Sequence, residues 1–303
     1  MARPRIGIAL GSGSARGWSH IGVIEALHKA GIEPDVVGGS SMGSFVGAAY
    51  VTNQLARLKD FAEALTWRDI VGLIDVSLAG GGVIGGQRIV ALLQKLDITG
   101  KIENCHKRFA AIATDLEAGR EVWLREGPIE AAVRASIALP GIFSPARNGD
   151  RWLVDGGLVN PVPVSVCRAL GADIVIAVNL NSEIVEPLEV RSAKRAIYGI
   201  PPEFMRQLLD QIPSGIRRQI SAIAPDLLQQ TPRSPGYFDV LANSINIMQD
   251  YITRSRLAGE PPHIMVTPRL SHIGLMEFHR ASEAIAEGYA CIEQALPALQ
   301  RLM

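Results

Sequence analysis

A short serine motif flanked by glycines is the first part of this sequence that could do chemistry. Residues 39–43 read Gly-Ser-Ser-Met-Gly, which fits the G-x-S-x-G pattern of a nucleophile elbow. In such an elbow the glycines relieve crowding around a strained turn that exposes the central hydroxyl. Ser41 is therefore the candidate nucleophile, and Gly39 and Gly43 support it. The neighbouring Ser40 is expected to point elsewhere.

A second glycine-rich turn lies earlier, where residues 11–17 read Gly-Ser-Gly-Ser-Ala-Arg-Gly. Exposed N–H groups in such a turn can bind the pyrophosphate of a dinucleotide at a helix N-terminus. They can equally stabilise the oxyanion that forms when a serine attacks an acyl group, and a tight turn without a ligand is a third interpretation. A dinucleotide site needs an acidic residue at the end of the second strand. Glu33 and Asp35 come before that strand, which disfavours the dinucleotide interpretation.

A serine hydroxyl needs a base to become a good nucleophile. Among the six histidines, His272 in a late loop has the position that suits a Ser-Asp-His hydrolase, and a structural role is the alternative. The other candidate is Asp155, which follows a short apolar run and precedes Gly156 and Gly157. A carboxylate there would lie at the carboxyl edge of the sheet, the edge that carries Ser41. A simple Asp-Gly-Gly turn is the alternative interpretation.

An alternation of strands and helices must position these residues. Apolar runs at residues 6–10 and 36–37 predict buried strands, and a turn and a helical pattern follow each of them, at residues 19–30 and 43–51. This repeat predicts an α/β fold with a parallel sheet. Further strands are predicted at residues 108–114, 120–124, 152–154, 173–180 and 263–266, and further helices at residues 55–67, 87–96, 128–139, 163–170, 238–257 and 281–302.

The composition disfavours several function classes. The 303 residues carry 30 Lys and Arg against 30 Asp and Glu, so the chain lacks the basic excess of a general nucleic-acid binder. Cys105, Cys167 and Cys291 form neither a disulfide framework nor a metal-ligand spacing, which predicts reduced thiols in a cytoplasmic protein. The longest uncharged stretch, residues 36–56, contains glycines and polar residues typical of a strand, turn and helix rather than a membrane span.

The composition changes near residue 183 and divides the chain into three parts. Residues 1–182 form the predicted catalytic core, and residues 237–303 complete it with helices and a strand. Residues 183–236 are rich in proline, with a basic excess and apolar residues at near-helical spacing. We expect them to form a helical insertion or lid. Their apolar stripe and basic excess have three open interpretations: peripheral contact with a membrane surface, a subunit interface of a homo-oligomer, and a helical pair that faces the core.

Taken together, these residues resemble the patatin-like phospholipases, and in particular their compact bacterial members of the RssA type. The resemblance covers most of the chain, and ordered blocks are far more specific than a single motif. It implies a three-layer α/β/α patatin-like fold with a central, mostly parallel sheet. The blocks are residues 11–24, 39–43, 113–116, 135–141 and 155–163, followed by shorter matches at residues 247–250 and 272–274.

The resemblance also implies a catalytic Ser–Asp dyad without a catalytic histidine. Ser41 carries over as the nucleophile and Asp155 as the base, and no metal or organic cofactor is needed. The first glycine-rich turn carries over as the oxyanion hole. Its expected donors are the backbone amides of Gly13, Ser14, Ala15 and Arg16.

The first turn departs from the family pattern Gly-Gly-Gly-x-Arg/Lys-Gly at two positions, where Ser12 and Ser14 replace glycines. The backbone N–H donors persist, so an oxyanion hole supported by Gly11 and Gly17 is still expected. The pattern leaves open which amides point inward. Arg16 matches the basic residue of the family and would hold the loop or favour the anion, and a salt bridge to a carboxylate is the alternative.

The expected function is that of a serine hydrolase that cleaves carboxylic esters of lipids through an acyl-enzyme, as a phospholipase, lysophospholipase or esterase. The alternatives are a patatin-fold regulatory or binding protein with weak residual esterase activity, and a nucleotide-dependent enzyme that uses the first turn. Residues 83–84, 142–143 and 183–236 are candidates for an apolar acyl slot, with core packing as the alternative. Because an aspartate has an ordinary pKa of about 3.9, activity should stay flat across the histidine range unless the pocket raises that pKa strongly.

Overall fold

The computed structural model describes residues 3–73, 85–182 and 237–302. The predicted insertion at residues 183–236 and the acyl-slot candidates Val83 and Ile84 lie outside these described residues. The strands are β1 (Ile6–Leu10), β2 (Val36–Ser40), β3 (Arg108–Asp115), β4 (Glu121–Leu124), β5 (Ala146–Asn148), β6 (Arg151–Asp155), β7 (Ile174–Val178) and β8 (Ile264–Val266). The helices are α1 (Ser19–Lys29), α2 (Met42–Val51), α3 (Leu55–Glu63), α4 (Trp67–Gly72), α5 (Gln87–Lys95), α6 (Ile129–Ser136), α7 (Val164–Ala169), α8 (Tyr237–Gly259) and α9 (Ala281–Gln300).

The strands form one mixed sheet in the order β5-β6-β3-β2-β1-β7-β8, with β4 also paired to β3. Strands β1, β2, β3, β7 and β8 run parallel. Strands β4 and β6 run antiparallel to β3, and β5 runs antiparallel to β6. The mostly parallel sheet predicted from the sequence is therefore confirmed. Every residue of the central strand β1 is buried, as expected for a parallel strand that helices cover on both faces.

Helices pack on both faces of this sheet. Because side chains alternate along a strand, Ile8 and Leu10 of β1 point to the face covered by α1, α2 and α9. Ala9 points to the opposite face, where it packs with Cys167 of α7 and with Leu257 near the end of α8. This arrangement confirms the predicted three-layer α/β/α architecture.

Helices α1 and α9 cross with their backbones in contact. A Cβ atom at Gly22 would lie 1.9 Å from the carbonyl oxygen of Ile285, and one at Gly288 would lie 2.0 Å from that of Ser19. Only glycine, which has no side chain, allows two helices to approach this closely. The C-terminal helix α9 therefore holds α1, and with it the glycine-rich turn that precedes α1.

Several element boundaries differ from the sequence-based predictions. The helix expected over residues 128–139 ends at Ser136, and a turn follows in which Gly141 has a φ of 81°. Strand β5 was not predicted, because three residues at the edge of a hairpin are too few to show a period of two. Among the described residues, the structure contains no helix that is both long and apolar enough to cross a membrane.

Candidate active site

Strands β2 and β6 pair with consecutive parts of the same edge of β3 and meet end to end there. This junction positions the candidate site residues. Strand β4 occupies the other edge of β3 from Ala111 to Thr114. On the shared edge, Ser40 at the end of β2 pairs with Ile112. Asp155 at the end of β6 pairs with the next residue, Ala113. Because β2 and β6 run in opposite directions, their carboxyl ends face each other, and the residues that follow β2 come directly beside Asp155.

Ser41 follows β2 at this junction in a strained backbone conformation. Its φ of 54° and ψ of −123° are unusual for a residue that is not glycine, and such strain is common where a side chain must be presented at a functional site. Ser41 lines a cavity at the carboxyl edge of the sheet. Ser40 is fully buried and does not line that cavity. The structure therefore exposes the central serine of the motif and hides its neighbour.

The six glycines singled out as supports all lie where backbone or side-chain atoms approach them closely. At each of them an added Cβ atom would come within 2.5 Å of a neighbouring atom, closer than any real contact allows. The tightest of these approaches is at Gly43, where the Cβ would lie 2.0 Å from the carbonyl oxygen of Leu10. The six are Gly11, Gly17, Gly39, Gly43, Gly156 and Gly157.

The Ser41 hydroxyl donates a hydrogen bond to the Asp155 carboxylate, with a distance of 2.6 Å between Oγ and Oδ2. The second carboxylate oxygen, Oδ1, accepts a 2.7 Å hydrogen bond from the amide of Gly157. The amide of Asp155 itself donates to the carbonyl of Ala138 at 2.9 Å. Backbone contacts on both sides thus hold the carboxylate in an orientation that can accept the serine proton.

Burial changes the acid–base behaviour of Asp155. The side chain is completely buried, and this desolvation raises its pKa from 3.8 to about 6, against the opposing effect of the hydrogen bonds from Ser41 and Gly157. From the sequence, activity was expected to stay flat across the histidine pH range unless the pocket raised the pKa of Asp155 strongly. The pocket does raise it, so activity should change with pH near 6. An aspartate with this pKa is a stronger base than a solvated one and is still mostly ionised at neutral pH.

Ser136 is a third residue of this junction, and no role was predicted for it from the sequence. Its Oγ accepts a 2.9 Å hydrogen bond from the amide of Ser41 and donates a 2.5 Å hydrogen bond to the carbonyl of Ile112. The hydroxyl thus bridges the gap that opens where β2 leaves β3. The only sequence signal was its place in the block of residues 135–141, because its two partners lie far away in the chain.

The backbone amides of the first glycine-rich turn differ in whether they have a partner within the protein. The amide of Ala15 donates to the carbonyl of Leu275 at 3.1 Å, and that of Arg16 donates to the carbonyl of Gly13 at 3.2 Å. These two N–H groups are used within the protein, so in this structure they cannot bind an oxyanion. The amides of Gly13 and Ser14 have no hydrogen-bond partner in the described parts of the chain, and both residues line the cavity.

Arg16 lies behind this turn rather than in the cavity. Its guanidinium is almost fully buried and donates to the carbonyls of Gly13 and Leu180 and to Oδ1 of Asn246, each at 3.2–3.3 Å. These bonds connect the turn to the segment after β7 and to helix α8. Arg16 therefore holds the loop in place, which was one of the two roles expected for it.

The histidines of this protein are not part of the cavity wall that contains Ser41. His272 bonds through Nε2 to Oε1 of Glu283 at 2.5 Å, and its side chain is partly exposed. His20 is buried behind the first turn, where burial lowers its pKa to about 4, and its Nε2 bonds to the carbonyl of Gly11. All six histidines fall within the described residues, and none of them lines the cavity.

The cavity beside Ser41 is largely apolar. Ile142 and Phe143, two of the acyl-slot candidates, belong to its wall. Among the described residues, its polar lining comes from the first turn, from Ser41 and from two side chains of α8, Asn246 and Gln249. The remaining apolar lining consists of Trp18, Met42, Phe45, Phe61, Leu65, Ile70, Leu73, Ile89, Leu92, Ile137, Leu139, Ile245, Leu275, Met276 and Phe278.

The comparisons with known proteins fit this geometry. The family model for patatin-like phospholipases matches residues 8–168, which contain both Ser41 and Asp155. The chain belongs to the patatin-like phospholipase family. An uncharacterized NTE family protein of Mycobacterium tuberculosis is 35% identical to this patatin-like chain over 338 residues, covering 98% of this chain and 92% of that protein.

Two further similarities concern larger proteins. A protein of Pyricularia oryzae named as a lysophospholipase, NTE1, is 28% identical over 305 residues, which cover 98% of this chain and 18% of that protein. The crystal structure of VipD from Legionella pneumophila is similar with a TM-score of 0.47 and 14% identity, covering 98% of this patatin-like chain and 67% of that one.

Proposed function

We propose that this protein hydrolyses carboxylic esters of lipids with Ser41 as the nucleophile and Asp155 as the general base. Membership of the patatin-like phospholipase family and the similarity to a protein named as a lysophospholipase support a lipid hydrolase. The observation that carries the finer assignment is the 2.6 Å hydrogen bond from Ser41 Oγ to the buried carboxylate of Asp155, at the wall of an apolar cavity. The same contact makes a purely binding role hard to explain.

The proton and the acyl group move as follows. Asp155 accepts the hydroxyl proton as Ser41 Oγ attacks the ester carbonyl carbon, and a tetrahedral oxyanion forms. When that intermediate collapses, the bond to the alkoxy oxygen breaks and Asp155 returns its proton to the departing alcohol. Water, deprotonated by Asp155, then attacks the acyl-enzyme. As the bond from the acyl carbon to Ser41 Oγ breaks, Asp155 returns that proton to Oγ, and the carboxylic acid and the free serine are released.

The amides of Gly13 and Ser14 are the oxyanion donors in this proposal. Both line the cavity with Ser41 and are unpaired within the described residues. Fixed N–H donors of this kind each typically stabilise the transition state by about 3 kcal/mol. The apolar part of the cavity, which includes Phe45, Ile142 and Phe143, would take the acyl chain by removing its methylene groups from water.

Activity-based labelling and turnover of paired serine variants test this proposal. Wild type should hydrolyse a medium-chain ester and react covalently with a fluorophosphonate probe. Ser41→Ala should lose turnover by at least about 10⁴-fold and lose the labelling, because the nucleophile is gone. Ser40→Ala is the matched control and should retain most of both, since Ser40 is buried behind the cavity wall. An active Ser41→Ala protein, or a wild type that neither labels nor turns over, would contradict the proposal.

A further inference from the structure

Helix α8 places two carboxamide side chains on the wall of the catalytic cavity. Asn246 and Gln249 are one helical turn apart, and both line the cavity that contains Ser41. Each is more than nine-tenths buried, with exposed fractions of 3% and 5%. Two buried amides on an otherwise apolar wall need hydrogen-bond partners, because burying an unpaired polar group is costly.

The oxygen atoms of both amides are held by the first glycine-rich turn and its neighbourhood. Oε1 of Gln249 accepts hydrogen bonds from the hydroxyl of Ser12 at 3.0 Å and from Nδ2 of Asn181 at 2.9 Å. Oδ1 of Asn246 accepts a 3.3 Å hydrogen bond from the guanidinium of Arg16. Because the oxygen ends are fixed, the N–H₂ ends of the two amides are fixed as well.

The N–H₂ groups are the unsatisfied ends. Nδ2 of Asn246 is buried without a hydrogen-bond partner among the described residues. Nε2 of Gln249 donates no hydrogen bond within the described residues, and it lies 2.4 Å from the point that a Cβ atom of Gly157 would occupy. Oδ1 of Asp155 lies 3.0 Å from that same point. Gln249 therefore presents donors rather than an acceptor on the side of the catalytic carboxylate, which is the electrostatically favoured orientation.

The position of these donors indicates which part of an ester they would meet. The proposed mechanism requires Asp155 to return its proton to the departing alcohol, so the alcohol part of the substrate must lie beside Asp155 and Gly157. The long apolar part of the wall lies on other elements, including α2, α3 and α5. Gln249 is thus on the alcohol side, with Asn246 one helical turn before it on α8, and the apolar lining is left for the acyl chain.

We propose that Asn246 and Gln249 form a polar subsite for the alcohol part of the ester, and that their N–H₂ groups donate to its oxygen atoms. This inference rests on the proposed function and names the residues that would recognise the alcohol part of the ester, so that an alcohol with hydroxyl groups is preferred to a plain alkyl one. A site built to hydrogen-bond a hydroxyl discriminates against an analogue that lacks it, because its buried donors are then left unpaired.

A matched pair of substrates tests the proposal. Monooctanoylglycerol and propyl octanoate share the acyl chain and a three-carbon alcohol, and only the former carries hydroxyl groups. Wild type should prefer monooctanoylglycerol in kcat/KM. Gln249→Met and Gln249→Glu should each lower kcat/KM for monooctanoylglycerol by about tenfold more than for propyl octanoate. The Glu variant keeps an acceptor for Ser12 and Asn181 and removes the donors, but it also adds a negative charge near Asp155, so only the difference between the two esters is compared for it.

A control variant on the same helix and three distinguishable outcomes complete the test of the subsite. Met248 is half-exposed on the outer face of the same helix, so Met248→Gln should leave kcat/KM for both esters unchanged. Equal losses on both esters would show that Gln249 acts only through the first turn, and a wild type without preference would show that the donors do not meet the alcohol. Either result overturns the subsite and leaves the proposed function standing. A wild type that hydrolyses neither ester contradicts the proposed function itself.

Discussion

The nucleophile turn and the oxyanion turn of this protein are held in different ways. The turn at Ser41 is fixed mostly by hydrogen bonds from its own neighbours: the amides of Ser44 and Phe45 donate to the carbonyl of Ser41 at 2.8 and 3.3 Å. The first glycine-rich turn takes its partners from distant segments. The amide of Ser12 donates to the carbonyl of Pro161 at 2.9 Å, and that of Ala15 to a carbonyl after β8.

This difference explains which features of the site are visible in a sequence. A turn that its own residues hold leaves a local pattern, so the nucleophile can be predicted from five residues. When distant segments hold a turn, which of its amides are paired and which are free is decided only when the chain folds. The number of oxyanion donors is therefore a property of the tertiary structure.

Outside the Ser41–Asp155 pair, the largest expected effect comes from a distant hydrogen bond to the backbone of the nucleophile turn. Ser136→Ala removes the hydroxyl that links the amide of Ser41 to the carbonyl of Ile112 and leaves both groups buried and unpaired. Because a small displacement of a nucleophile is costly, we expect kcat to fall by about 10²-fold with little change in KM. Steady-state kinetics well below the melting temperature measure this split.

A matched serine provides the control for that variant. The hydroxyl of Ser144 is buried without a hydrogen-bond partner among the described residues, so Ser144→Ala should keep kcat close to that of wild type. If Ser136→Ala also kept its kcat, the nucleophile turn would need no distant support, and the contrast with the first turn would be sharper than the structure implies. A rise in KM alongside the fall in kcat would instead indicate damage to the cavity.

A smaller effect, about tenfold per pH unit, is expected in acid. Asp155 can accept the serine proton only when it is ionised, and burial raises its pKa to about 6. kcat/KM should therefore rise with pH up to about 6, reach a plateau above it, and fall about tenfold per unit below it. A pH series with an uncharged ester measures this profile. A profile that stays flat down to about pH 4.5 would mean that Asp155 keeps its ordinary pKa or is not the base.

The smallest effect is expected at His272, on the segment that supports the first turn. Its side chain bonds to Glu283 and does not line the cavity, so His272→Ala should change kcat/KM by less than about threefold and leave the pH profile in place. The same esterase assay with a thermal melt is sufficient. A loss of several orders of magnitude in a folded His272→Ala protein would favour a Ser-Asp-His triad.

Much of the fold could be predicted because strands and helices alternate regularly along the chain. The meeting of Ser41 with Asp155 was less accessible, since it depends on β6 running antiparallel along the same edge of β3 that β2 occupies. The pKa of Asp155 could not be predicted because burial, which raises it, is not visible in an Asp-Gly-Gly sequence. The roles of Gln249 and Asn246 were hidden for the same reason as the oxyanion donors: their partners are distant in the chain.

The conversion of Asp155 to asparagine affects stability as well as catalysis. The folded protein holds this group at a pKa of about 6, above its ordinary value of 3.8, so its favourable contribution to folding is present only below about pH 4. That contribution is lost as the pH rises through about 6, which amounts to about 3 kcal/mol at higher pH. Asparagine carries no charge to bury, so the melting temperature of Asp155→Asn relative to wild type should rise between pH 4 and pH 8.

The most direct test of the dyad is therefore the turnover of Asp155→Asn measured beside its thermal melt. We expect a folded protein that is at least as stable as wild type at pH 8 and that hydrolyses a medium-chain ester at least about 10³-fold more slowly, because the amide cannot accept the Ser41 proton. A folded Asp155→Asn protein with near-normal turnover would contradict the assignment of Asp155 as the catalytic base.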